Sequence, residues 1–544
     1  MLKISLVSAR SNPNELRNCL VSAFDQCKSM TQLKQIHALI ISFGLTNDEP
    51  FTSKILSVTA ISDFSDIDYS YKFFRQLINP NIFSWNTMIR GYSKSKNPNR
   101  CISIYNEMTR TGISPNHFTF PFLAKACSRL SSILVGLSVH SLVGKTGFEL
   151  DMFIQNSLIH MYSSRGDIMS ARKLFEEMPY KNSVSWNSIV DGYAKCRDLV
   201  SARQIFDAMP EKDVITWSSL IDGYVKSGNY IEALEVFERM RCEGPRANEV
   251  TMVSVLCACA HLGALEKGKM MHDYVKGNKL PLTLVLQTSI VDMYAKCGAI
   301  EDAFAAFHEV PACRTDVLIW NSMIGGLATH GYVEESLELF KRMQTLKWVI
   351  PDEITYLNLL SACAHGGLVE DAWRFFKSIT AHGMMPMLEH YACMVDVLSR
   401  AGYLDEAFKF LNNMPVEPSA SMLGALLNGC KNYGRLDIGE TVGRMLIKLE
   451  PNHDGRYVGL SNVYAVGGKW KEAREMRAVM EKRGVKKLPG CSSVEVGGVL
   501  HKFTAHDKTH PQMTKVCEML NKIVEEMRFQ PDLQTPEQCL YNMG

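Results

Sequence analysis

Seven pairs of small polar residues recur along this chain of 544 residues: Ser53/Asn81, Asn86/Asn116, Asn156/Asn182, Asn187/Asp213, Ser218/Asn248, Thr288/Asp316 and Asn321/Asp352. The first member of each pair is the fifth residue of a repeat, in the opening turn of a predicted helix. The second member is the last residue of that repeat. Amide, hydroxyl and carboxylate groups can pair with the Watson–Crick edge of an unstacked base, one base per repeat. Helix capping is the plainer account of the second member, because Asn, Asp, Ser and Thr favour helix starts. Capping does not account for the first, which lies where these residues have no propensity advantage.

The elements that must hold these pairs are short helices. In the stretch SVSWNSIVDGYAKCRDLVSARQIFDAMPEKD, residues 183–213, Trp186, Ile189, Val190 and Tyr193 form one apolar helical face. Arg197 and Asp198 break that helix. Leu199, Ala202, Ile205, Phe206 and Met209 repeat the face, and Pro210 stops the second helix. A hairpin of 31 residues cannot bury both faces alone, so it needs neighbours on either side. Trp217 follows Trp186 by 31 residues, Trp85 precedes Trp186 by 101, and Trp320 follows Trp217 by 103. A single tetratricopeptide-like period near ~34 does not generate these distances. Alternating repeats of 35 and 31–33 residues do.

The expected fold is all-α: a right-handed α-solenoid of stacked helix-turn-helix repeats with a small mixed C-terminal extension. Twelve repeats tile the chain without gaps, at residues 14–48, 49–81, 82–116, 117–151, 152–182, 183–213, 214–248, 249–283, 284–316, 317–352, 353–387 and 388–419. Two divergent hairpins fill residues 420–490. After them, CSSVEVGGVLHKFTAHD reads as two strands around Gly497-Gly498, and a last helix follows at about 511–527. Residues 1–13 carry Lys3 and Arg10 among serines and no acidic residue, which suits an organelle transit peptide.

The net charge of +2 disfavours a protein that grips nucleic acid through phosphates alone. It is compatible with a reader of base edges. The 16 cysteines contain no CxxC pair. Cys127, Cys259 and Cys363 recur at one repeat position, and Cys196 and Cys297 at another, as small packing residues would in a reducing compartment. His501, His506 and His510, with Cys491 and Cys517 nearby, are too loosely spaced to frame a metal site, so no metal or cofactor is expected. No run of ~18 apolar residues marks a membrane span.

The pattern WNSIVDGYAK…ARQIFDAMPEKD, with its 35/31 alternation, resembles the plant pentatricopeptide repeat (PPR) family, specifically its PLS class. Residues 420–490 and 491–544 resemble that family's E and E-plus extensions, and KKLPGCSSVEV resembles the opening of its DYW domain. The resemblance implies a sequence-specific single-stranded RNA-binding adaptor for C-to-U editing in an organelle, the mitochondrion or alternatively the chloroplast. It implies a base code at the fifth and last residues of each repeat. Carried over, the seven pairs read A, pyrimidine, pyrimidine, U, A, G and U. Repeats 117–151, 249–283 and 353–387 carry Pro121/Asp151, Val253/Thr283 and Leu357/Met387 and depart from the code.

The family's cytidine deaminase needs H-x-E and C-x-x-C, and neither is present in this sequence. The chain is therefore not expected to be an enzyme, and a DYW-type deaminase would act in trans, docked on the extension. The second residues Phe83, Phe153, Val184, Ile215, Val285 and Leu318 are expected to pack between hairpins, though they could also sandwich bases. The alternatives are a PPR factor for splicing, stability or translation, and a peptide-binding helical scaffold.

Overall fold

The computed structural model describes residues 13–528 apart from 47, 63, 488, 498 and 506–508. The transit-peptide reading, His506, Gly498 and the chain end therefore lie outside the described residues. Contacts divide the chain into two compact halves, Met1–Ser254 and Val255–Gly544. Each half is an α-solenoid, a stack of antiparallel helical hairpins. In the first, Glu49–Ile61, Ile82–Lys94, Met152–Ser164, Ser183–Lys195 and Val214–Lys226 are first helices of five of the repeats. In the second, the corresponding helices are Leu284–Lys296, Val317–Thr329, Glu353–Gly366, Leu388–Arg400 and Ala420–Asn432.

Each of these helices begins on the first residue of a repeat, and in most of them the side chain of the residue before it caps the N-terminus. Asn81, Asn182, Asp213, Asp316 and Asp352 each accept the backbone N–H three residues ahead. The repeat at 117 differs. Its helix, Thr119–Cys127, starts two residues late: Asn116 Oδ1 accepts the Phe118 N–H at 3.1 Å, and the Thr119 N–H turns to the Asn116 carbonyl oxygen at 2.9 Å. Pro121 is tolerated there, since the first-turn N–H groups have no intrahelical partner.

The core lies between neighbouring hairpins. Phe74–Trp85, Phe175–Trp186, Phe206–Trp217 and Phe307–Trp320 repeat one edge-on ring contact, with centroids 4.7–5.0 Å apart. Each links the second helix of one repeat to the first helix of the next. First helices approach so closely that a Cβ on Gly223 would lie 2.5 Å from Ala194 Cβ. Cys127, Cys259 and Cys363 are buried, and burial pushes their thiols up to about 11, 12 and 12 respectively. They serve as small apolar fillers.

At the turn between helices, Gly166, Gly228 and Gly298 adopt φ of +79 to +80°. Arg197 occupies the same place at φ +62°. The tail holds an antiparallel hairpin, Cys491–Val496 with Val499–Thr504, and the helix Met513–Arg528. Glu495 on this hairpin accepts the backbone N–H of Glu266 at 2.9 Å and of Lys267 at 3.2 Å. Those amides open the helix Leu265–Gly277, so the tail carboxylate caps a helix 229 residues earlier.

Candidate nucleic-acid interface

The structure joins four of the seven pairs directly. Asn86 Nδ2 donates to Asn116 Oδ1 at 3.0 Å, and Asn321 Nδ2 to Asp352 Oδ1 at 2.9 Å. Asn187 Nδ2 reaches Asp213 Oδ1 and Oδ2 at 3.2 and 3.3 Å, and Asn156 Nδ2 reaches Asn182 Oδ1 at 3.4 Å. A fifth pair is joined indirectly. Ser218 Oγ lies 2.6 Å from Thr251 Oγ1, which donates to Asn248 Oδ1 at 2.9 Å.

Two pairs are not joined. Thr288 Oγ1 is buried without a hydrogen-bond partner, and Asp316 caps the Ile319 N–H at 3.2 Å. Asn81 turns its amide to Glu49 instead of Ser53.

Capping and pairing are therefore not rival roles for the unit-final residue. The same Asp213 oxygen that accepts the Thr216 N–H at 2.8 Å also faces Asn187. Burial pushes the Asp213 carboxyl up, but the hydrogen bonds from Thr216 and Asn187 outweigh it and hold it below the usual carboxylate range. An Asp at this place stays ionised and offers acceptor oxygen. An Asn offers its spare amide hydrogens.

The second residues overturn one expectation. Phe83, Phe153, Val184, Ile215, Val285 and Leu318 are 49–75% exposed, so they do not form the packing between hairpins. In six of the seven paired repeats an apolar side chain thus stands in open solvent at the second position of the helix that carries the fifth residue. Around repeat 152–182 they line a concavity of about 480 Å³ bounded by Phe122, Phe153, Asn156, His160, Asn182 and Val184.

Sequence reasoning missed a row of cations. Lys94, Lys195, Lys226 and Lys296 each end a first helix, 12 residues after its first residue. Three of them pair with the aspartate one turn back: Lys195 with Asp191 at 2.6 Å, Lys226 with Asp222 at 2.6 Å and Lys296 with Asp292 at 2.8 Å. Their constant offset was the available signal. In the tail, His501 Nδ1 and His510 Nε2 lie 2.9 Å apart, and no cluster of three metal-ligating residues occurs among the described residues. No described helix is long and apolar enough to cross a membrane.

Family-wide sequence patterns match most of the chain. The PPR repeat family matches residues 80–129, 212–261 and 315–365. The PPR repeat matches 156–183, 184–214, 354–384 and 389–417, and the E motif matches 433–495. Pentatricopeptide repeat-containing protein At5g08305 of Arabidopsis thaliana is 56% identical over 91% of this chain and 93% of its own length. At5g06540 of the same plant is 46% identical over 94% of this chain and 82% of its own. A crystal structure of maize PPR10 is 18% identical, with a TM-score of 0.43 over 86% of this chain and 84% of that one.

Proposed function

Since the chain belongs to the pentatricopeptide repeat family, we propose that it is a sequence-specific single-stranded RNA-binding adaptor that marks cytidines for C-to-U editing in an organelle. The observation that carries this reading is the hydrogen-bonded pair of fifth and last residues, repeated beside an exposed apolar second residue. A base stacked on that second residue would present its Watson–Crick edge to the pair.

The pairing chemistry follows from the last residue. The Asp213 and Asp352 carboxylates are acceptors, which suits the N3–H of uracil beside Asn187 and Asn321 and the N1–H of guanine where Thr288 precedes Asp316. Asn at the same place offers an N–H, which suits the N1 acceptor of adenine or the N3 acceptor of cytosine. The string read in chain order is A-Y-n-Y-U-A-n-G-U. Ser53/Asn81, Thr288/Asp316 and Ser218/Asn248 join it once a base bridges the two members of each pair. The terminal lysines of the first helices add modest attraction for phosphate, moderated at Lys195, Lys226 and Lys296 by an aspartate one turn back.

Deamination itself is assigned to a DYW-type partner in trans, because the sequence has neither H-x-E nor C-x-x-C. The exposed apolar side chains of Leu520, Ile523 and Val524 on the last helix are the surface such a partner would cover. Relatives named as mitochondrial and as chloroplastic are 34% and 44% identical to this chain, and the mitochondrion is the compartment proposed.

The test is a titration of the full chain with an RNA carrying A-Y-n-Y-U-A-n-G-U and with a scrambled RNA, at one stated salt concentration. Marked preference for the first supports the reading. Equal binding to both refutes the register, and absence of binding turns the assignment towards a peptide-binding scaffold.

A further inference from the structure

The fifth-position asparagines have a third partner outside their own repeat. Thr119 Oγ1 donates to Asn86 Oδ1 at 2.8 Å, Thr216 Oγ1 to Asn187 Oδ1 at 2.6 Å, and Thr355 Oγ1 to Asn321 Oδ1 at 2.7 Å. Each threonine is the third residue of the following repeat. Its hydroxyl has one hydrogen and two acceptors in range, the asparagine amide oxygen and the capping side chain. The capping oxygens lie at 3.2, 2.8 and 2.9 Å, in each case farther than the amide oxygen. In two of the three, the hydroxyl also accepts the backbone N–H of the capping residue, from Asn116 and from Asp352, both at 3.1 Å. The hydroxyl has one proton to give, and the amide oxygen is the nearest acceptor.

This arrangement fixes which way the amide faces. Its oxygen meets the threonine and one of its hydrogens meets the capping residue. A flipped amide would leave the threonine proton to the farther capping oxygen and would set the amide oxygen against that same capping oxygen, which in two of the repeats belongs to a carboxylate.

Repeat 152–182 lacks the third partner. The following repeat places Ser185 at the third position, and its Oγ lies 3.0 Å from its own cap, Asn182 Oδ1. The Asn156 amide oxygen is buried with no partner, and the Asn156–Asn182 bond is the longest of the four at 3.4 Å. Threonine is stiff about χ1, whereas serine has no second heavy atom on Cβ to hold its hydroxyl across the repeat boundary.

We infer that the third residue of the following repeat is a specificity-positioning residue: threonine locks the fifth-position amide into one donor–acceptor orientation, and serine leaves it free to turn. The locked repeats then discriminate sharply between uracil, which donates at N3, and cytosine, which accepts there. Repeat 152–182 reads either pyrimidine with little preference. The inference deepens the RNA reading and rests on it for the ligand, but the lock itself is a property of the free protein.

Two experiments separate these layers. A double-mutant cycle of Thr216→Val and Asn187→Ala, read by thermal unfolding of the full chain without RNA, is expected to show coupling. Additive effects would overturn the lock whether or not RNA binds. The second experiment compares oligomers with U or C opposite one repeat. Because Asn182 offers an N–H, Ser185→Thr is expected to shift the U/C affinity ratio opposite repeat 152–182 towards C by about three- to tenfold, and Thr216→Ser to lower it opposite repeat 183–213 by a similar factor. Unchanged ratios in variants of a protein that discriminates elsewhere would overturn the specificity role. A wild-type protein indifferent to every base change would overturn the RNA reading and that role together, while the cycle still decides the lock.

Discussion

The repeat array and the tail divide their apolar side chains in opposite ways. In the array, Phe206 is fully buried and meets Trp217 edge-on, and the same ring contact recurs at Trp85, Trp186 and Trp320. In the tail, Val494, Val496, Leu520, Ile523 and Val524 are all roughly half exposed. An array hairpin completes its core with its neighbours. The tail hairpin and helix leave theirs open, and the hairpin reaches the array through a polar contact, the Glu495 carboxylate on two helix-opening amides. Stability should therefore be set by the array, whereas the tail's apolar surface is available for association.

The largest effect should come from the array core. Phe206→Ala is expected to cost about 3–5 kcal/mol, read as loss of hydrogen-exchange protection in residues 183–226; a cost below that of a surface change would break the comparison. Next, Asn187→Ala with Asp213→Ala is expected to weaken RNA binding by roughly 1–3 kcal/mol, with the loss largest for U opposite that repeat. Equal binding by the double variant would remove this repeat from the interface.

On the tail side, Glu495→Ala should cost about 1 kcal/mol, seen as faster exchange of the Glu266 and Lys267 amides with the rest of the array unchanged. A smaller change of opposite sign is expected at Arg197→Gly, where a left-handed conformation is released from side-chain strain. The gain should be about 0.5–1 kcal/mol in thermal unfolding. Ile523→Lys should alter stability by less than about 0.5 kcal/mol while abolishing capture of a deaminase partner in a pull-down from reconstituted components. A large loss of stability there would show that the tail helix is packed like the array.

Much of the fold could be read locally. Helix starts coincide with Asn, Asp and Ser at repeat ends because the cap and the apolar period lie within a few residues of each other. The start at Thr119 is displaced where the Asn116 side chain takes the Phe118 N–H and the Asn116 carbonyl the Thr119 N–H, a local choice that spacing does not reveal. The second residues were misjudged for a different reason. An apolar residue one place from a helix start looks like core, and only the stacking of neighbouring hairpins shows that this face is open.

The fifth and last residues were visible as a polar recurrence, but their bonds to each other span 26 to 31 positions. The threonine contacts were invisible for the same reason, since Thr216 looks like an ordinary capping-box residue until Asn187 is placed beside it. Nothing near Glu495 in sequence announces a partner at Glu266.

That last contact also orders events during synthesis. Hairpins in the array touch only their neighbours, so each can fold soon after it is made. The amides of Glu266 and Lys267 emerge more than two hundred residues before Glu495, a delay on the order of 10–50 s at ordinary translation rates. During that interval the helix Leu265–Gly277 stands with its opening N–H groups in water. Arrival of the tail carboxylate is then the closing step of assembly, and a chain in which it has docked is one whose translation has passed residue 495.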